Sequence, residues 1–194
     1  MTRDEILDAA AQIFSQKGFH AASMQDIAEA VKLQKASLYH HVSSKQDILL
    51  ALLDRALDML IERMQGVIDL PLPSDVKLHR AIQVYLETLI ERRDLAAVLL
   101  LEHRSLEPEY HAKHIPRRDR FEALWRELLQ EGKHQDIFTC PDPALVSRLL
   151  LGSLNWTITW YRDDGPLSPT TLADQVTDLF LAGLLTRQEH HGSA

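Results

Sequence analysis

The sequence predicts an all-helical protein. Gly and Pro number only 7 and 8 among 194 residues, no alternating apolar and polar run bounded by turn signals reads as a strand, and apolar residues recur at helical spacing between legible caps. An apolar content of 45% is enough to bury a sizeable core in one or two domains. The single cysteine, Cys140, excludes an internal disulfide framework and a multi-cysteine zinc site. The start "MTRDEILDAA" has no basic stretch followed by an apolar core, and no apolar run approaches the ~20 residues that span a bilayer. A cytoplasmic protein with no membrane partner is expected.

The N-terminal helices are read from their caps, because a hydroxyl followed three residues later by a carboxylate satisfies free amides at a helix start. Thr2 with Glu5, Ser23 with Asp26 and Ser44 with Asp47 share this spacing. The first pair opens a helix over roughly 3–17, with Ile6, Ala9, Ala10, Ile13 and Phe14 on one face and Gly18 as its stop. The second opens a short helix from Met24 to Val31. The third opens a long one from about Lys45 to Val67, with Ile48, Leu49, Leu52, Leu53, Ala56, Leu60 and Met64 at helical spacing. Between the last two lies "KASLYHH", Lys35 to His41, a further short helix.

After residue 68 the composition becomes more acidic and Leu-rich. "DLPLPSD" (69–75) reads as a Pro-marked linker, with Ser74 capping a helix to about Asp94. Further helices are expected over about 95–105 and from about Glu109 to Glu131, the latter open to a kink at Pro116. Asp142 and Ser168 are expected as N-caps with Pro143 and Pro169 at the first helical positions, giving helices to about Arg162 and Arg187. The terminal "HHGSA" is expected to fray.

The formal net charge of −7 counts at first against nucleic acid, whose phosphates call for Lys and Arg. Its distribution changes that reading. Residues 1–50 hold five basic residues (Arg3, Lys17, Lys32, Lys35 and Lys45) against six acidic ones, which leaves sixteen against twenty-two in the remainder. Three of the five fall between Lys32 and Lys45.

Spacing within 24–42 fits a helix-turn-helix. Ile27, Ala28, Val31, Leu33 and Leu38 supply the inward positions, small Ala28 allowing close approach and Leu33 plugging the turn. Lys35, Ser37, Tyr39 and His40 are then free to face out. A short exposed helix rich in hydrogen-bonding groups suits the DNA major groove, although a solvated face in an ordinary helical bundle has the same pattern.

The run "ILDAAAQIFSQKGFHAASMQDIAEAVKLQKASLYHHVSSKQDILLALL" closely resembles the N-terminal domain of the TetR family of transcriptional regulators, across essentially all of residues 3–53. The resemblance implies an N-terminal three-helix DNA-binding domain over residues 1–50 and a C-terminal helical regulatory and dimerisation domain over 51–194. It also implies groove or phosphate contacts from Lys35, Ser37, Tyr39 and His40, and a phosphate contact from Lys45 at the start of the fourth helix. Phosphates are further expected at the helix starts near Ser23 and Ser44. Two positions depart from the family pattern: Lys32 stands where the turn normally has glycine, and Val42 where phenylalanine normally follows the reading helix. A positive φ at Lys32 would cost on the order of 1 kcal/mol, and Val42 predicts a looser seat for that helix.

Two apolar stripes mark the last two long helices: Leu172, Val176, Leu179, Phe180, Gly183 and Leu184 on one, and Leu145, Leu149, Gly152 and Trp156 on the other. Two such helices from each subunit build a four-helix dimer interface, as the resemblance also implies, with an intrachain core as the alternative. "LGSLNWTITWYRDDGPLS" and "LLLEHRSLEPEY" resemble the regulatory domain of an acyl-CoA-responsive TetR subgroup. That resemblance implies an effector with an apolar tail and an anionic head. Trp156 and Trp160, four residues apart, are expected to wall an apolar cavity, with Arg162, Arg117, Arg118 and Arg120 meeting the head group. The alternative makes the tryptophans core and the arginines solvated.

His111 and His114 have the i, i+3 spacing of a metal pair, with His103 upstream, but no thiolate accompanies them. No Gly-rich phosphate loop, nucleophile elbow or Cys/His signature is present, so no catalytic residue, cofactor or metal is assigned. The expectation is a homodimeric, ligand-responsive regulator, more a repressor than an activator, released from a palindromic operator by a small amphiphile such as an acyl-CoA. A metal- or drug-sensing repressor of the same fold is the nearer alternative, and a helical enzyme the more distant one.

Overall fold

The computed structural model describes residues 2–184. Nine α-helices occur among them: α1 (Arg3–Lys17), α2 (Met24–Ala30), α3 (Lys35–Leu38), α4 (Lys45–Ile68), α5 (Ser74–Glu91), α6 (Arg93–Leu101), α7 (Pro108–His134), α8 (Pro143–Trp160) and α9 (Pro169–Leu184). A short 3-10 turn, His103–Ser105, joins α6 to α7. No strand occurs among the described residues. The all-helical class and most helix starts follow the sequence reading. The expected end of the last helix near Arg187 and the "HHGSA" terminus lie outside the described residues.

The chain divides into two compact units, one comprising residues up to Glu62 with Thr88–Phe121, the other Arg63–Glu87 with the chain from Glu122 onward. In the first unit, α1 packs on α2 and α6, and α2 on α3. Its core joins Ile6, Ala10 and Phe14 of α1, Ile27 and Ala28 of α2, Leu38 of α3, and Ile48, Leu49, Leu52 and Leu53 of α4, all but sealed from solvent. Phe19, just after the turn at Gly18, meets Phe14 edge to face with ring centroids 5.3 Å apart. Gly18 has φ +80°, a conformation that favours glycine, and its N–H donates to the Phe14 carbonyl to close α1.

The second unit buries Leu78, Ile82 and Leu86 of α5, Leu124, Trp125, Leu128 and Leu129 of α7, Leu150 and Leu154 of α8, and Ala173 of α9. Tyr85 lies edge to face with Trp125 and donates its hydroxyl proton to the Asn155 side-chain oxygen. Burial pushes that phenol far above its ordinary range. Ser74, expected as a cap, is instead the first residue of α5. Its buried hydroxyl donates to Gln135 at 2.9 Å, so a tertiary bond displaces the local one, and the Pro73 carbonyl accepts the first helical N–H, that of Lys77. The helix expected over 95–105 is shorter, because α6 ends at Leu101 and the chain tightens into the 3-10 turn. α7 continues through Pro116 as one helix. Asp142 does cap α8, its carboxylate accepting the N–H groups of Ala144 and Leu145.

Near the end of α7 the Gly132 carbonyl accepts N–H bonds from Ile137 and Phe138. The buried Phe138 ring lies directly over the glycine, where a Cβ would collide with it. Gly132→Ala should therefore destabilise the protein by about 1–3 kcal/mol, seen as a lowered midpoint in chemical denaturation. Gly66→Ala, on α4 with no heavy atom within 4 Å of its added Cβ, should be neutral or stabilise by up to ~1 kcal/mol.

Candidate nucleic-acid interface

A helix as short as α3 has too few internal hydrogen bonds to persist alone. It persists here because its one large apolar side chain, Leu38, is fully buried, and Val42 just beyond it is also buried. The turn before it is tight: the Leu33 N–H donates to the Ala28 carbonyl at 2.8 Å, and Lys32 sits at φ +56°. The glycine-to-lysine departure thus carries the left-handed backbone anticipated for it, at a cost on the order of 1 kcal/mol. Beside Val42 an open cleft of about 680 Å³ is lined by Arg3, Leu7, His41, Ser43 and Leu50 among others.

With Leu38 turned inward, Lys35, Tyr39 and His40 are exposed and Ser37 is half-buried. Tyr39 has 47% of its surface exposed. Lys45 is tied down differently. Its ammonium donates to the carbonyls of Phe19 at 2.8 Å and Ala22 at 2.7 Å and stands 4.4 Å from the centre of the Phe19 ring. Two of its three donors are so engaged, and one remains.

Helix starts flank this surface. Ser23 and Asp26 form a reciprocal capping box at α2, and the Ser44 hydroxyl accepts the Asp47 N–H at the start of α4. The Lys17 ammonium reaches Asp26 at 2.7 Å and joins α1 to the same cap. Lys17, with the Ser23 hydroxyl and backbone amide, holds the Asp26 carboxyl well below the usual carboxylate range.

The residues expected to hold an effector are not brought together within either unit. Arg117 and Arg118 belong to the first unit, Trp156, Trp160 and Arg162 to the second. Arg117 bonds Asp58 and Asp54, each at 2.9 Å; Arg118 bonds Asp119 and Arg162 bonds Asp164. Trp156 and Trp160 are 67% and 48% exposed rather than walls of an apolar cavity. The physical reason is the register of α8: Leu150, Leu151, Leu154 and Thr157 take the buried face, so the tryptophans fall on the opposite one.

That outward face is continuous. Leu145, Leu149, Trp156 and Trp160 on α8 and Leu179 on α9 are exposed, Val176 and Phe180 half-buried, and Gly183 open. A shallow apolar groove of about 340 Å³ runs between Val146, Leu149, Val176, Phe180 and Gly183. Leu172, placed on the same stripe from sequence, is instead in the core of the second unit.

His114 is buried, with its Nδ1 3.2 Å from Asp54, and no group of three or more His, Cys, Asp or Glu suited to a metal occurs among the described residues. Burial, with Arg104 nearby, holds His103 below the usual imidazole range. The spacing of His111 and His114 alone does not show this network. The i, i+4 pair Asp54 and Asp58 and the i, i+3 pair His114 and Arg117 were its only signals, and complementary pairs on separate helices do not announce that they meet.

A short exposed helix on a buried anchor, after a tight turn and between two capped helix starts, has the form of a helix-turn-helix DNA-binding head. Comparison with known proteins agrees. Residues 6–52 match the model for bacterial regulatory proteins of the tetR family, and residues 71–184 match that for the tetracyclin repressor-like C-terminal domain. The chain belongs to the tetR family, and so is a DNA-binding regulator rather than an enzyme. It is 28% identical over 188 residues to the HTH-type transcriptional repressor KstR2 of Mycolicibacterium smegmatis, covering 96% of this chain and 92% of that one. The crystal structure of the TetR family regulator PfmR from Thermus thermophilus superposes with a TM-score of 0.86 at 37% identity, covering 95% of this chain and all of PfmR. That of AibR in complex with isovaleryl coenzyme A and operator DNA gives 0.82 at 26%, covering 94% and 97% of the two chains.

The lowered pKa of the Asp26 carboxyl predicts acid sensitivity in the first unit. Because its folded pKa is depressed, its contribution is present above the unfolded value near 4 and is lost as pH falls through the folded one. Stability should decline as pH drops from about 5 toward 3, and Asp26→Asn should flatten that decline in denaturation midpoints measured across the range.

Proposed function

We propose that this protein is a homodimeric, cytoplasmic repressor that binds a palindromic operator and is released by an acyl-CoA. The observation that carries the DNA part is the exposed face of α3 held on buried Leu38. Ser37, Tyr39 and His40 face the groove, and Lys35, the remaining donor of Lys45 and the amides at the starts of α2 and α4 take phosphates. A palindrome requires a two-fold axis. The uncovered stripe of Leu145, Leu149, Val176, Leu179, Phe180 and Gly183 supports a self-complementary surface for it, and the outward tryptophans of α8 extend that surface. Likeness to AibR, solved with isovaleryl coenzyme A and operator DNA, supports the effector class. Metal sensing has less support, since His114 is already engaged by Asp54.

The operator is obtained by selecting duplexes from a random pool with the full chain. Lys35→Ala should weaken binding to all duplexes alike and flatten the salt slope by about one unit, whereas His40→Ala should change the preferred sequence. Wild-type affinity, slope and preference in both variants would refute this docking.

Phe180→Asp should convert a dimer burying over ~1,000 Å² into monomers in sedimentation at micromolar concentration. A wild-type monomer at that concentration would remove the symmetric reading. Acyl-CoAs from isovaleryl to palmitoyl are then titrated into the wild-type complex. A hundredfold loss of operator affinity corresponds to about 2.7 kcal/mol of coupling; no response at any chain length would reject the effector class.

A further inference from the structure

The first turn of α4 holds two neighbouring parts of the first unit at once. Lys45 and Gln46 are consecutive, so their side chains leave the helix about 100° apart. Lys45 grips the carbonyls of Phe19 and Ala22, in the turn joining α1 to α2. Gln46 reaches the other way: its Nε2 donates to the Ser105 carbonyl at 3.0 Å and its Oε1 accepts the Glu107 N–H at 3.2 Å. Both ends of one side-chain amide are thus satisfied by backbone two residues apart, just before α7 begins at Pro108.

Neighbouring contacts follow the same line. The Ser44 and Tyr110 hydroxyls lie 3.5 Å apart. The Ser105 hydroxyl donates to Glu102, whose other carboxylate oxygen stands 3.4 Å from where a Cβ on Gly18 would be. The connection between α6 and α7 therefore bonds to Gln46 and lies near Gly18, while the first turn of α7 reaches Ser44. Gln46 holds the connection by two directional bonds to backbone. Apolar contacts let packed elements slide, whereas a two-point amide clamp follows its partner or breaks.

We propose that Gln46 is a positioning residue that couples the α6–α7 connection to the DNA-reading head, so that displacement of residues 105–107 alters DNA affinity. The inference rests on the reading of this chain as a DNA binder and needs no particular effector. Movement at Ser105 and Glu107 is carried by the amide to the first turn of α4, and by Lys45 to the Phe19 and Ala22 carbonyls in the turn before α2. Gln46 itself need not touch DNA.

Coupling is reciprocal, so DNA bound at the head must register at the far end of the clamp. Amide hydrogen exchange at Glu107 is measured in the full-length protein with and without the duplex that wild type selects from a random pool. In wild type, DNA should slow exchange at Glu107 by about fivefold or more. In Gln46→Ala the duplex should still bind, with Glu107 exchange now independent of it. Gln46→Glu keeps the acceptor for Glu107 but loses the donor to Ser105, so it should give an intermediate response. Should Gln46→Ala fail to fold, as judged by circular dichroism, Gln46→Glu decides by the same readout. DNA-independent exchange at Glu107 in wild type, or full DNA-dependent protection in the variants, overturns the inference. Failure of wild type to select any duplex is a different result, which defeats the DNA-binding reading and this inference together.

Discussion

A helix of one turn cannot hold its own shape, and the architecture of the first unit answers that constraint. α3 is short and faces outward, and it has no apolar face beyond Leu38 with which to anchor itself. The anchor is supplied from outside: α3 packs on α2 with Leu38 and Val42 buried, the Ala28 carbonyl fixes the turn through Leu33, and Lys45 ties the α1–α2 turn to the start of α4. Polar side chains can then be spent on display. A charged protein of net −7 still presents Lys32 and Lys35 on one exposed corner.

The second unit shows the complementary arrangement, a fully occupied core with apolar surface left over. α8 buries Leu150, Leu151 and Leu154 and still carries Leu145, Leu149, Trp156 and Trp160 on its other side. A helix apolar all round is normally buried all round. Gly152 and Gly183 sit open on that outward surface with nothing within 4 Å of an added Cβ. Small residues in open space do no packing within the chain, which is the condition under which another helix can approach closely.

Much of this was legible in the sequence, because capping is local chemistry. Thr2 with Glu5, Ser23 with Asp26 and Asp142 with Pro143 mark helix starts that the structure reproduces, and the inward set Ile27, Ala28 and Leu38 is buried as spacing requires. What failed to show was tertiary choice. Ser74 has the sequence of a cap and is claimed by Gln135 instead; Arg117 has the look of a free cation and is held by Asp54 and Asp58. The tryptophan pair on α8 specified a shared face but not which face, since apolar residues flank it on both sides. Gln46 was invisible for a deeper reason: its partners are backbone groups of Ser105 and Glu107, and backbone has no sequence signature.

The central claim is that two copies of α3 read one symmetric stretch of DNA. Hydroxyl-radical footprinting of the full chain on its selected duplex tests it most directly. The account predicts two protected patches on one face, related by a dyad and centred one helical turn, about 10 base pairs, or a whole multiple of that apart. A single patch without a symmetry mate, or protection spread evenly along the duplex, would contradict it.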